Sequence, residues 1–118
     1  MWPFTMKSDA LKFRRLNDEF AVAGQIAPDE VQKVADAGFK TIVCARPDNE
    51  DPGQPSFAQI AAEAERAGLS AVHIPVSGML GEGQLIRMEE ALKTLPKPMF
   101  GYCRSGGRAG SLYGAVTR

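Results

Sequence analysis

The sequence holds little for metal chemistry: a single histidine, His73, and two cysteines, Cys44 and Cys103, in 118 residues. Neither cysteine has a partner at metal-ligand spacing and the histidine is far from both, so no metal and no other cofactor is expected. Two thiols are also too few for the disulfide framework that staples small secreted domains, which makes reduced cysteines the default. Charge of one sign is lacking too, since 14 basic residues balance 14 acidic ones. No global field therefore draws the chain to nucleic acid or to an anionic membrane, and any anion site must be local. No apolar run is long enough to span a bilayer, and the opening Met1 to Ser8 lacks the charged start and apolar stretch of a secretory signal. The expected location is cytoplasmic. The length leaves room for one domain, residues 1–118, with residues 1–11 expected to be a loosely ordered N-terminal segment.

What is present is a globular composition, 44% hydrophobic and 24% charged, arranged as alternating strand and helix signals. Phe13 to Leu16 and Phe20 to Ala23 read as two strands around a turn at Asn17-Asp18-Glu19. Gln25 to Gly38 reads as a helix, with Pro28 and acids near its start and Val31, Val34 and Ala35 on one face. Phe39 to Cys44 is a β-branched run suited to a buried strand, and the polar stretch Arg46 to Pro55 is a loop. Ser56 caps a second helix with Phe57, Ile60, Ala61 and Ala64 on one face, ending at Gly68. Leu69 to Ile74 is the next strand and Pro75 to Gly83 a loop. Leu85, Met88, Ala91, Leu92 and Leu95 mark a third helix, and Met99 to Tyr102 the last strand. The expected fold is therefore α/β: three layers, with a mainly parallel central sheet and helices on both faces.

Chemistry concentrates where that last strand ends. Cys103-Arg104-Ser105-Gly106-Gly107-Arg108 follows the strand and precedes a helix beginning near Arg108, the edge of the sheet where ligands bind in open α/β folds. Serine and glycines let successive backbone N–H groups converge, and the helix N-terminus adds roughly half a positive charge, so the loop has the makings of an anion nest. The same field lowers a thiol pKa and makes Cys103 a candidate nucleophile at neutral pH. The flanking residues are poor core material, which favours this reading over a merely buried cysteine.

A strand, a Cys-loop-Arg and a helix resemble both the tyrosine and dual-specificity phosphatases and the rhodanese sulfurtransferases. Gly38 to Val43 followed by Arg46-Pro47, then Val72-His73-Ile74-Pro75-Val76, look like the middle strands of dual-specificity-type phosphatases. Together with Tyr102 to Arg108 they make residues 13 to 117 similar to the phosphatase-like domain of the bacterial beta-lactamase hydrolase-like proteins. The resemblance implies that Cys103 attacks phosphorus, that Arg108 grips two phosphoryl oxygens as a fork, that the amides of Ser105, Gly106 and Gly107 hold the third, and that Arg104 is an outer contact. Members of that family generally continue beyond the last helix, so a shortened C-terminus and a fraying last turn are expected.

The chain departs from the phosphatase pattern in three places. Four residues rather than five separate Cys103 from Arg108, closer to the short rhodanese loop whose cysteine carries a persulfide sulfur. Ser77-Gly78 stands where a phosphatase has its general-acid aspartate. Asp48 and Glu82 are named as replacement candidates, with Glu50 and Asp51 on the same loop as Asp48; all four also fit the reading of solvated loop charges. Tyr102 and Ala109 replace the usual histidine and hydroxyl residue on either side, and Ser105 is a substitute for that hydroxyl. Arg46 either lines the anion pocket or pairs with Asp48. Cys44 reads as core or as a resolving thiol, and His73 as a structural histidine.

Three function classes stand at this point: a phosphatase-like hydrolase, a sulfurtransferase carrying a Cys103 persulfide, and a non-catalytic oxyanion-binding module. The expected partner is a small anionic substrate, a phosphate ester or a sulfur donor, with neither nucleic acid nor membrane; a homo-oligomer is compatible with the sequence.

Overall fold

The structure is a computed structural model that describes residues 10–117. Five strands form one sheet: β1 (Arg14–Arg15), β2 (Phe20–Ala23), β3 (Thr41–Cys44), β4 (Ser70–His73) and β5 (Met99–Tyr102). Their order across the sheet is β1-β2-β5-β3-β4, with β1 antiparallel to β2 and every other pairing parallel. The hairpin is closed by Asn17, whose Oδ1 accepts from the amides of Glu19 and Phe20, the local side-chain turn that suits asparagine to such positions. Residues 1–9 of the expected loose N-terminal segment lie outside the described residues, while Leu11 packs on the core.

Four helices cover the sheet: α1 (Val31–Asp36), α2 (Phe57–Arg66), α3 (Glu82–Thr94) and α4 (Gly107–Thr117). Two buried clusters separate cleanly. Val31, Val34, Ile60 and Ala64 of α1 and α2 pack with Ile42, Phe100 and Tyr102 on one face. Met88, Ala109, Leu112 and Tyr113 of α3 and α4 pack with Phe20, Val43 and Met99 on the other. The three-layer α/β expectation is met, because strands buried on both faces read as continuous apolar runs rather than alternating ones. The helix read over residues 25–38 is shorter than expected. Pro28–Glu30 forms a 3₁₀ turn before α1, with Glu30 reaching back to the Ala27 amide at 2.8 Å, so the proline starts the turn without extending a full helix.

Two details place the site. At the other end of the chain's central loop, Ser56 and Gln59 form a reciprocal cap that starts α2 (Gln59 N to Ser56 Oγ 3.2 Å, Ser56 N to Gln59 Oε1 2.9 Å). In β5, a Cβ on Gly101 would lie 2.7 Å from Phe20 and 3.2 Å from the Ala109 side chain. Only a bare backbone lets α4 settle this closely on the sheet, directly behind the loop that begins at Cys103. α4 runs to Thr117, whose hydroxyl donates to the Tyr113 carbonyl at 2.8 Å; Arg118 lies outside the described residues.

Candidate active site

The loop from Cys103 to Arg108 is braced against the end of β2. The Cys103 amide donates to the Ala23 carbonyl at 3.3 Å and the Gln25 amide to the Arg104 carbonyl at 3.4 Å. Gly106 takes φ +99°, a conformation side-chain-bearing residues rarely adopt, and this turns its amide inward to the Cys103 sulfur at 3.0 Å. Cys103 is wholly buried. Burial pushes the thiol pKa up, yet the amides of Ala109, Ser105, Arg108 and Gly106 outweigh it and leave the pKa below the ordinary thiol value. Backbone amides thus converge on the sulfur, those of Arg108 and Ala109 coming from the first turn of α4.

Around the nest, three arginines meet two carboxylates. Arg108 Nη1 and Nη2 donate to Glu50 at 2.7 and 2.9 Å, and Nη1 also to the Val76 carbonyl at 2.9 Å. Hydrogen bonds from Arg108 and Arg46 hold Glu50 down at about 2, so it is a carboxylate at every working pH. Arg104 is exposed and approaches Asp51 at 3.5 Å, consistent with an outer position. Glu50 and Asp51, exposed as loop charges are expected to be, are nonetheless ion-paired. The Glu50–Arg108 contact spans 58 residues of sequence, and no local pattern announces it.

The other sequence candidates fall in different places. Arg46 neither lines the nest nor pairs with Asp48: its side chain turns to Gln25, Glu50 and Asp51. Asp48 accepts from the Phe57 amide at 2.8 Å, satisfying a free donor at the start of α2, so in this arrangement it holds a helix end. Glu82 stands exposed in the first turn of α3, where a carboxylate complements the helix dipole. Ser105 and Gly107 are exposed at the loop's outer side. Cys44 lies in the cluster on the opposite sheet face from Cys103, donating to the Arg46 carbonyl at 3.4 Å. Burial raises its pKa, with the Tyr102 hydroxyl opposing, so it is a neutral thiol. His73 stacks on Phe57 at 4.7 Å and its Nε2 meets the Arg46 carbonyl at 2.8 Å. Among the described residues no group of three or more His, Cys, Asp or Glu is placed to hold a metal, and no helix is long and apolar enough to cross a membrane.

A mainly parallel sheet ending in a cysteine nest and an arginine defines a phosphatase-like α/β domain. Residues 12–117 match the family model of the beta-lactamase hydrolase-like protein, phosphatase-like domain, and the chain belongs to that family. It is 36% identical over 104 residues to a beta-lactamase hydrolase-like protein of Agrobacterium fabrum (strain C58 / ATCC 33970), an alignment covering 87% of this chain and 24% of that protein. The chain thus spans about a quarter of the length of this curated relative. Among solved structures it is similar to a protein described as a phosphatase from Neisseria meningitidis z2491, with TM-score 0.76, 31% identity, and coverage of 86% of this chain and 72% of that one. The core catalytic domain of the PP-IP phosphatase Siw14 from S. cerevisiae shares the fold, with TM-score 0.67 at 17% identity over 88% of this chain and 63% of that one.

Proposed function

We propose that this domain is a cysteine-dependent phosphatase-like hydrolase in which the Cys103 thiolate is the nucleophile. The observation that carries the proposal is a buried sulfur on which loop amides converge, holding its pKa below the ordinary thiol value, an arrangement suited to a nucleophile. In the first step Sγ attacks the phosphorus of a phosphate ester, forming an S–P bond while the P–O bond to the leaving group breaks. The loop amides and Arg108 bear the charge on the equatorial oxygens. In the second step water attacks the phosphocysteine, the S–P bond breaks, and inorganic phosphate and the thiolate are released. No carboxylate stands at Ser77-Gly78 and Asp48 is engaged with α2, so leaving groups that need no protonation, such as aryl oxides, are the favoured substrates. A preference over alkyl esters of at least about tenfold follows from the usual worth of a general acid.

The same two observations and the four-residue loop support a second reading, sulfur transfer. Here the thiolate attacks the outer sulfur of a thiosulfate-type donor, an S–S bond forms, and sulfite leaves with the electron pair of the broken bond; an acceptor such as cyanide then takes the terminal sulfur. This needs no general acid. One experiment separates the readings: the native protein and Cys103→Ser are given a chromogenic aryl phosphate and, separately, thiosulfate with cyanide. Phosphate release lost in the variant supports hydrolysis, and thiocyanate with a one-sulfur mass gain on Cys103 supports transfer. Silence in both assays leaves an oxyanion-binding module, and activity that survives Cys103→Ser refutes both catalytic readings.

A further inference from the structure

Among the described residues Arg46 is the one charged side chain that is buried, at 3% exposure. Burying a guanidinium is costly unless each donor is met, and here each nitrogen is. Nε donates to Glu50 Oε1 at 2.8 Å, Nη1 to Gln25 Oε1 at 2.9 Å and Nη2 to Asp51 Oδ2 at 2.7 Å. Its backbone is pinned as well, the carbonyl meeting Cys44 Sγ and His73 Nε2. This fixed cation grips the same Glu50 that grips Arg108: Oε1 bridges Arg46 Nε and Arg108 Nη2, while Oε2 takes Arg108 Nη1. A guanidinium has five N–H donors in a rigid fork. Glu50 and the Val76 carbonyl account for both hydrogens of Arg108 Nη1 and one of Nη2. What remains is the Nε–H and the outer Nη2–H, a second fork on the other edge of the plane.

We propose that Arg46 is a positioning residue of the anion site: through Glu50 it clamps one edge of Arg108 and so presents the Nε/Nη2 edge to an oxyanion seated over Cys103. The inference rests on the reading that the Cys103 loop binds an oxyanion. It gives a buried arginine, a paired carboxylate and a nest a single purpose, and it assigns Glu50 the opposite role from a competitor that substrate must displace. A bidentate fork needs its plane fixed to act as one, and the chain Gln25, Arg46, Glu50, Arg108 fixes it from the end of β2 to the first turn of α4.

Two readouts test it on Glu50→Gln and Arg46→Lys, the first of which alters a partly exposed side chain and leaves the core untouched. The first readout needs no ligand: the Arg108 guanidinium signals in a nitrogen-15 correlated NMR spectrum, identified by their loss in Arg108→Lys. Clamped Nη protons rotate slowly and stay resolved in the native protein; in both variants they should average. The second is the Kd for tungstate, a phosphate-sized oxyanion, by calorimetry. Glu50→Gln should weaken it on the order of tenfold, as a coupled neighbour does, and should add nothing further in an Arg108→Lys background. Tungstate binding unchanged or tightened in Glu50→Gln, or Arg108 signals equally resolved in the variants, would overturn the proposal. Native protein that fails to bind tungstate would instead sink the oxyanion reading, while the Arg108 signals still decide whether Arg46 and Glu50 hold that guanidinium.

Discussion

Replacing Gly106 by alanine attacks the thiolate through the backbone without touching a charged group. The residue sits at φ +99°, beyond the small left-handed region open to alanine, and holding a side-chain-bearing residue there costs roughly 1–3 kcal/mol. A Cβ would meet the Ala23 carbonyl oxygen at 3.4 Å, an ordinary contact, so the cost lies in the backbone conformation itself. The cheaper response is to rotate the peptide, which withdraws the amide that lies 3.0 Å from the sulfur. A hydrogen bond to a charged group is worth about 1.5–3 kcal/mol, and its loss falls on the ionised form alone. The Cys103 ionisation midpoint, read from the pH dependence of alkylation by iodoacetamide, should therefore rise by roughly one pH unit or more, since about 1.4 kcal/mol is a factor of ten. The alkylation profile should move to higher pH, and at strongly alkaline pH, where both thiols are ionised, the two rates should converge. Cys44, a neutral buried thiol whose pKa is raised by burial, should be silent in both proteins, as mass spectrometry of the labelled peptide would verify. A variant with the native pH profile would show that the loop amides do not set the charge on sulfur.

Gly101→Ala should destabilise the fold by about 1–3 kcal/mol through overpacking against Phe20 and Ala109, read as a lower urea midpoint with an unchanged slope. Ser56→Ala removes the acceptor for the Gln59 amide and should cost about 1 kcal/mol, with Cys103 alkylation unaffected. Glu50 has a folded-state pKa depressed to about 2, so its pairing with Arg108 and Arg46 contributes stability that is present above the unfolded carboxylate value and lost as pH falls through the folded one. Urea midpoints taken from about pH 5 down to pH 2 should therefore drop more in the native protein than in Glu50→Gln; parallel curves would contradict that linkage.

Most of the architecture was legible because it is written locally. Ser56 announces a helix start, the β-branched run at Thr41 to Val43 a buried strand, and the Ser-Gly-Gly between Cys103-Arg104 and Arg108 a tight turn ahead of a helix. What escaped was written across distance. Proline and two acids at 28–30 look like the first turn of a long helix, and only the short 3₁₀ geometry reveals that α1 begins at Val31. Asp48 is indistinguishable in sequence from a pocket carboxylate, yet it ties down the start of α2 nine residues on. Arg46 has three acids on its own loop, Asp48, Glu50 and Asp51, and it pairs with the last two while also donating to Gln25 just beyond β2. Ion-pair partners carry no periodicity, so nothing short of the folded sheet identifies them.

The strand order has a last implication. β5 is the final strand to emerge in sequence, yet it lies between β2 and β3 and pairs with both. Until it inserts, the two halves of the sheet have no common neighbour, Ala23 has no loop to brace and the amides around residue 103 have nothing to converge upon. Such non-local pairings form late because their loop-closure entropy comes first. A partly folded chain consequently lacks the amides that lower the Cys103 pKa, and they are brought together by the same event that completes the sheet.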